Sequence, residues 1–521
     1  MAITAQHVVI IGAGIGGLAA ATALSAAGLR VTVVERAPTP GGKLRTLVVG
    51  GQEIDAGPTV LTSRTALDAL FHMVDEEMAD HLTLVPATTL GRYFWPGSPH
   101  LDIHADRGRT ADAIAAFASP KDAAAYQDLC RDAERAHAAL DRPFLRGTRP
   151  SSGFDLLRRA GFRTPRLHPT QTFAAAVATR LQDPRLRELF GQFSTEHGTP
   201  PRLAPAAALL LAHMRLADTW TIEGGMHRLA TALAALAQRA GATLRFETAA
   251  REIVVADGRT TGVRLEDDDI LTADAVVMNG EPAALAAGLL GAQAVSAGSA
   301  PKFPHRSLSA VTWAALADVG DAPLLHHNTF FNPASRAASD FIENGLLPPE
   351  PTVRLCAQDR TNDSPDFARS HFAHNAPERF LVLIDAPANG DRRSFSQVEV
   401  DQCMQGIRKL LGRCGVTMVP AAAPIMTSPA TFNRLFPASA GALYGPAIRG
   451  WSSALRRPGA RTKLRGLYLT GGSTHPGPGL GLAALSGLQA AHSVATDLAK
   501  TRRRSAPTRS ATPAPAPLPT S

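Results

Sequence analysis

At 521 residues the chain is too long for one ordinary hydrophobic core, so two or more domains are expected, consecutive or interleaved. Hydrophobic residues at 45% and charged residues at 19% mark a sequence that folds for most of its length. The net charge of +8 does not point to nucleic acid: residues 500–521 carry Lys500, Arg502, Arg503, Arg504 and Arg509 with no acid, which leaves +3 for the body. The four cysteines, Cys130, Cys356, Cys403 and Cys414, show no CxxC spacing, so neither a disulfide framework nor a zinc site is expected and a reducing cytoplasm fits.

Residues 1–29 lack any charged side chain, including the basic start that a signal peptide needs. Gly12, Gly14, Gly16 and Gly17 also weaken any membrane span there. The run instead reads as strand, turn and helix. Val8 to Ile11 is a short buried strand, Gly12-Ala-Gly14-Ile-Gly16-Gly17 contains GxGxxG at Gly12, Gly14 and Gly17, and Leu18 to Ala27 is a small-residue helix closed by Gly28. Leu29 to Glu35 is a second strand. This order is that of a dinucleotide-binding unit. Gly12 allows the tight turn, Gly14 lets backbone approach a pyrophosphate, and Gly17 lets helix pack on strand. Glu35 stands where an acid binds ribose hydroxyls, and it would repel a 2′-phosphate, which disfavours an NADP-type ligand.

Gly41-Gly42-Lys43-Leu44-Arg45 follows, a turn able to wrap a dinucleotide with Lys43 or Arg45 near the phosphates. Glu53-Ile-Asp55-Ala-Gly57-Pro58-Thr59-Val60 supplies an acid and another turn. Asp122 to Leu140 reads as a polar amphipathic helix. Leu203 to Leu216, rich in alanine and leucine, is too short to cross a bilayer; it suits ordinary core, an apolar tunnel wall or a membrane-facing surface. Gly224-Gly225 opens a helix with Leu229, Leu233 and Leu236 on one face, Thr243 to Phe246 is a strand, Gly258 makes a hairpin turn, and Ala273 to Asn279 is a further buried strand. His326 and His327 are adjacent and so are expected on opposite sides of a strand, with no convincing third ligand, so no metal site is assigned. Near the end, Leu467 to Leu469 breaks into Gly471-Gly472-Ser473-Thr474-His475-Pro476-Gly477, followed by a small-residue helix. The Ala-, Pro- and Ser-rich tail, residues 500–521, reads as disordered, with a weak tether to anionic lipid as its functional alternative.

The first sixty residues resemble the flavoprotein superfamily of amine oxidases and carotenoid desaturases. Asp55-Ala-Gly57-Pro58-Thr59 and the late Ser473-Thr474-His475-Pro476-Gly477 turn resemble the phytoene desaturase-type branch. Leu480-Gly481-Leu482-Ala483-Ala484-Leu485-Ser486-Gly487 is closer to the 1-hydroxycarotenoid 3,4-desaturases. Leu325 to Phe331, Pro351 to Arg360, Ser428-Pro429 and Gly441 to Gly445 are similar to the same branch. The chain departs from the commonest pattern at Ser473, where glycine is usual.

The resemblance implies an α/β fold in which a Rossmann-type FAD-binding domain (1–85, 217–290 and 425–499) is interleaved with a mixed α+β substrate domain (86–216 and 291–424) that faces the membrane. It implies FAD contacts at Gly12, Gly14, Gly17, Glu35, Gly42, Lys43, Thr59, Val60, Ala250, Gly472, Ser473, Leu482 and Ala483. The implied activity is flavin-dependent desaturation of a lipophilic carotenoid by a cytoplasmic enzyme lying against the membrane, with oxygen or a quinone as the final electron acceptor. Three other readings stay open at this point: a phytoene-type desaturase, a flavin-dependent carotenoid isomerase, and a non-redox prenyl-protein escort. No residue is assigned as proton acceptor; His475, Asp359 and Arg360 are read as structural.

Overall fold

A computed structural model describes residues 6–161, 171–301, 305–333, 335–361 and 376–505. The expected turn of sequence near Gly12 builds the centre of a five-stranded parallel sheet. Its strands lie in the order Thr243–Arg245, Arg30–Val34, His7–Ile11, Ala275–Met278 and Leu467–Leu469. Both faces of this sheet are covered, which is why its strands are nearly all apolar. Val8 and Ile10 pack against the helices Ile15–Ala26, Arg228–Arg239 and Leu480–Ser505 on one side. Val9, Val34, Val276 and Met278 pack on the other, against the three-stranded sheet Ala250–Ala256, Arg259–Leu265 and Ile270–Thr272. The result is a three-layer unit assembled from three separate parts of the chain.

A second unit is built on a mixed sheet of eight strands. In order these are Val419–Pro420, Ser309–Asp318, Glu378–Ala386, Val353–Ala357, His327–Phe330, Thr89–Phe94 and Leu101–His104, with Ile425–Thr427 also paired to Ser309–Asp318. One face packs on the helix Gln397–Arg413 through Val400, Cys403, Ile407 and Leu410. A lobe of helices, including Arg107–Phe117, Pro120–Leu140, Pro184–Thr195 and Leu209–Ala217, closes over the end of the sheet around Tyr126, Phe173, Phe190 and Phe193. Ile425–Thr427 thus joins the eight-stranded sheet rather than the nucleotide unit, so the part of the chain expected to return to the nucleotide unit at 425 begins with a strand of the other unit. The terminal helix runs to Ser505, so the first residues of the expected tail continue a helix; 506–521 lie outside the described residues.

Particular contacts lock the units together. Asp55 accepts from the backbone N–H groups of Met226 at 2.6 Å and His227 at 3.1 Å, so it caps the turn that enters helix Arg228–Arg239. Its own N–H donates to Gln358 Oε1 at 2.9 Å, and the Gln358 amide donates back to the Asp55 carbonyl at 2.8 Å. That pair of bonds joins the nucleotide unit to the substrate sheet. On the other side, His475 Nε2 reaches the carbonyls of Phe144 at 2.8 Å and Gly147 at 3.2 Å, and Gln489 Nε2 donates to those of Leu145 and Gly147. These bonds clamp the helical lobe to the C-terminal segment. The first and last helices touch so closely that a Cβ on Gly487 would lie 2.3 Å from the Gly16 carbonyl oxygen.

His475 is fully enclosed, and burial pushes its imidazole down to about 4, outweighing the carbonyls it donates to. The unfolded chain takes up that proton near 6.5, whereas the folded chain resists until about 4. Stability therefore falls as pH drops across that window, by up to about 3 kcal/mol from this residue. In H475Q the amide keeps a donor for the two carbonyls but cannot titrate. Thermal melting should show a smaller loss between pH 7 and pH 5 in H475Q than in the parent; an equal loss in both would remove His475 from the account.

Candidate functional site

One cleft of about 630 Å³ runs from the glycine turn of the nucleotide unit to the face of the eight-stranded sheet. Its first part is backbone. Gly12 (φ +100°) turns beneath Asn279, where a Cβ would meet the Asn279 carbonyl oxygen at 2.7 Å, and a Cβ on Gly17 would lie 2.1 Å from the Gly12 carbonyl oxygen. The turn delivers the N-terminus of helix Ile15–Ala26 to the cleft, with Gly14, Ile15 and Gly16 on its wall. Gly14 forms a bridge with Gly41, which brings the Gly41-Gly42 turn alongside. Free N–H groups at a helix start, in a space no side chain can fill, make a cradle for a pyrophosphate.

Glu35 follows strand Arg30–Val34. Its carboxylate accepts from Ala13 N–H at 2.7 Å and Ala37 N–H at 2.9 Å, which fixes it at the cleft wall with lone pairs left for hydroxyl donors. The Thr248 N–H donates to the Glu35 carbonyl at 2.8 Å, and this positions Ala249 and Ala250 on the same wall. These contacts give the cleft an end with a carboxylate set for ribose hydroxyls, and the whole set fits a dinucleotide such as FAD.

Of the residues expected to touch the cofactor, Gly12, Gly14, Glu35, Gly42, Lys43, Thr59, Val60, Ala250, Gly472, Ser473 and Ala483 line this one cleft. Gly17 does not; it lies beneath the turn, as its packing role requires. Leu482 is turned away. The last helix begins at Leu480, so Leu480 and Ala483 share the cleft face while Leu482 packs into the core of the helical lobe. Lys43 is drawn to Glu281 Oε1 at 2.8 Å and to the Leu443 carbonyl at 3.0 Å, so its charge is already partnered. Arg45 points to Thr427 Oγ1 at 2.9 Å, away from the cleft.

Sequence reasoning passed over Asn279, Glu281 and Arg457. Asn279 and Glu281 follow the end of strand Ala275–Met278, at the carboxyl end of a parallel sheet where ligands gather, and that placement was the available signal. Glu281 Oε2 also accepts from Ser473 Oγ at 2.6 Å. Arg457 is enclosed and donates to the carbonyls of Gly472 at 2.8 Å, Tyr444 at 3.1 Å and Pro446 at 2.9 Å. Burial lowers its guanidinium to about 10, partly countered by Glu281.

The second part of the cleft lies on the substrate sheet. Tyr93, His327, Thr329, Arg354, Cys356, Leu381, Leu383 and Thr312 form its floor, and Leu90, Leu211 and Met214 also line it. The alanine- and leucine-rich segment therefore contributes both core, at Leu209 and Ala212, and channel wall. The expectation that His326 and His327 diverge is corrected: His326 precedes the strand His327–Phe330, so strict alternation does not apply, and both rings sit with Cys356, their ligand atoms within 4.8 Å. Burial raises the Cys356 thiol, which lies 3.4 Å from His326 Nε2, while His326 Nδ1 meets the Arg360 carbonyl at 3.0 Å. His326 thus has a partner at both ring nitrogens, whereas the buried Nδ1 of His327 has none among the described residues. His327 Nε2 meets Thr59 Oγ1 at 3.1 Å, tying the sheet to the cofactor-side turn. Asp359 and Arg360 are absent from the cleft: Asp359 pairs with Arg379, and Arg360 forks onto Glu378 at 2.6 and 2.7 Å.

The model of the family "Flavin containing amine oxidoreductase" matches residues 15–495. Among curated proteins, the chain is 42% identical over 505 residues to hydroxyneurosporene desaturase of Rubrivivax gelatinosus, covering 96% of this chain and 95% of that one. It is 39% identical to the protein of the same name from Cereibacter sphaeroides, covering 95% and 99%, and 30% identical to phytoene desaturase (lycopene-forming) of Pseudescherichia vulneris, covering 91% and 96%. Among solved structures, an oxidoreductase from Methanosarcina mazei (TM-score 0.58, 17% identity, 93% and 99% covered) and putrescine oxidase (0.57, 16%, 95% and 99%) share the fold. The family match over residues 15–495 and the likeness to desaturases over nearly the whole chain show that the chain belongs to the flavin-containing amine oxidoreductase family, in its carotenoid desaturase branch.

Proposed function

We infer that this chain is an FAD-dependent carotenoid desaturase that forms the C-3,4 double bond of 1-hydroxy acyclic carotenoids, for example taking 1-hydroxyneurosporene to demethylspheroidene. The observation that carries this reading is the single cleft that joins the glycine turn to the apolar sheet face. The relatives at 39–42% identity over nearly the whole chain supply the substrate class.

Glu35, the Gly12–Gly17 turn and the Gly41-Gly42 loop would hold the adenosine and pyrophosphate. The late turn at Gly471-Gly472-Ser473, with Ala483 behind it, would support the flavin end. Bound there, FAD supplies a two-electron acceptor for the hydride lost from one substrate carbon. The chain's own task is placement. Leu381, Leu383, Leu211 and Met214 hold an apolar rod and exclude water, so that one carbon lies at a fixed depth. Hydride loss beside the polyene spreads positive charge along the conjugated chain, which makes the proton on the neighbouring carbon acidic enough to pass to a weak base.

We place the enzyme against a membrane surface, where its substrate dissolves. No helix among the described residues is long and apolar enough to cross a bilayer. The helix Gly153–Ala160 presents Phe154 and Leu157 at 76% and 48% exposure, with Arg158 and Arg159 in its last turn, a pattern suited to anionic headgroups.

Three measurements test these statements. Incubated separately with 1-hydroxyneurosporene, neurosporene and phytoene, the holoenzyme should remove two hydrogens from the hydroxylated substrate in strong preference to the other two, read by product mass; conversion of phytoene alone would overturn the assignment. E35A should weaken FAD binding about tenfold to a hundredfold in a fluorescence titration, since charge-assisted hydrogen bonds to ribose and loop are lost together; unchanged affinity would move the adenosine site elsewhere. The pair F154S/L157S should release the protein from anionic vesicles in co-sedimentation, and retention equal to the parent would reject this helix as the contact.

A further inference from the structure

The sheet-side part of the cleft mixes leucines with the polar side chains of His327, Thr329, Thr312 and Cys356, and it also holds a charged cluster. Arg354 and Asp385, on neighbouring strands of the substrate sheet, form a hydrogen-bonded ion pair, and Tyr444 interacts with the same guanidinium. Arg354 and Tyr444 line the cleft. Glu196, also on the cleft wall, lies near enough to influence Arg354, Asp385 and Tyr444 electrostatically, and its Oε2 is 3.9 Å from Arg215 Nε. Taking an ion pair and a phenol out of water is costly unless their remaining donors and acceptors are used. The pair neutralises its own charge, so what it offers the channel is hydrogen bonding rather than net charge.

Its position also matters. Arg354 stands two residues along the strand from Cys356, which pairs with His327, and His327 meets Thr59 on the cofactor side. The Tyr444 carbonyl shares Arg457 with the Gly472 carbonyl, so Tyr444 lies beside the late glycine turn. The polar group is therefore at the redox end of the channel, not at its far end. In a 1-hydroxy acyclic carotenoid the hydroxyl is separated from C-3 by only C-1 and C-2. A residue that recognises it must stand close to the reacting bond, as Arg354 and Tyr444 do.

We propose that Arg354, oriented by Asp385, and Tyr444 form the subsite that binds the terminal hydroxyl of the substrate, and that this contact sets both specificity for hydroxylated polyenes and the depth at which C-3 and C-4 lie. This rests on the desaturase reading above. A substrate without the hydroxyl would bury the guanidinium and phenol against hydrocarbon and leave their remaining hydrogen-bonding capacity unused, which is the arrangement that discriminates most strongly between analogues.

Two variants of the holoenzyme test it, each first checked for bound flavin by its visible spectrum. Y444F removes a single hydroxyl, and R354L/D385L removes both charges together and so leaves no buried charge unpaired. Consumption of 1-hydroxyneurosporene and of neurosporene is measured for each. The expected result is a fall in kcat/KM for the hydroxylated substrate of about tenfold in Y444F and about a hundredfold in R354L/D385L. The rate on neurosporene should fall far less than that on the hydroxylated substrate, so that the preference narrows. A preference retained in both flavin-loaded variants would overturn the subsite while leaving the desaturase assignment intact. A parent enzyme that converts neither substrate would overturn both.

Discussion

Glu281 is the point on which the cofactor end of the cleft depends. Its two oxygens take Lys43, 238 residues away in sequence, at 2.8 Å and Ser473, 192 residues away, at 2.6 Å. The side chain of Glu281 is mostly buried, so these bonds form where competing water is scarce and each is worth more than its surface equivalent. Without them the turn after Gly41 and the turn after Leu469 have no common partner. With them, three segments that are remote in the chain present backbone to the same space. Ser473, the residue that departs from the usual glycine of the desaturase pattern, gains a specific purpose here: its hydroxyl is the donor that Glu281 holds.

The same logic runs outward. Arg457 fastens the Gly472 carbonyl to those of Tyr444 and Pro446, so the glycine turn cannot shift without moving the wall of the channel. Asp55 and Gln358 bind the nucleotide unit to the substrate sheet through backbone atoms, which leaves little freedom in register. Redox chemistry on a hydrocarbon has no charged handle to align, so the enzyme must fix distance through its own rigidity. Many short, buried, two-ended hydrogen bonds across the unit boundary are the means this chain uses.

The nucleotide turn could be read from the sequence because its physical demands are local. Gly12, Gly17 and Glu35 act within one strand–turn–helix–strand passage, and the order of those elements is itself the signal. The late strand Leu467–Leu469 was legible for the same reason. Leu482 was expected at the cofactor, but the helix begins at Leu480, which puts Leu480 and Ala483 on the cleft face and turns Leu482 to another. The roles of Arg354 and Tyr444 could not be read, although both lie in segments that resemble the desaturase branch. Their meaning arises only when the eight-stranded sheet and the loop after Gly441 come together, and no spacing along the chain encodes that. The two histidines misled for a subtler reason: alternation holds inside a strand, and His326 stands just outside one.

Strand pairing in the substrate sheet turns this into a scale of depth. Tyr93, Thr329, Arg354, Leu383 and Thr312 occupy one row across five strands. His327, Cys356, Leu381 and Ala314 occupy the next row on the same face. Adjacent rows on one face are about 7 Å apart along the strands, roughly the length of a few carbon–carbon bonds in an extended polyene. A rod lying along the strands therefore meets polar groups in one row and the cofactor-side residues in the next. Moving the polar row by one step along the strands would carry a different bond of the rod to the reactive position. On such a scaffold, regiochemistry is set by which row carries the hydrogen-bonding side chains, while the apolar rows between them need only the right width.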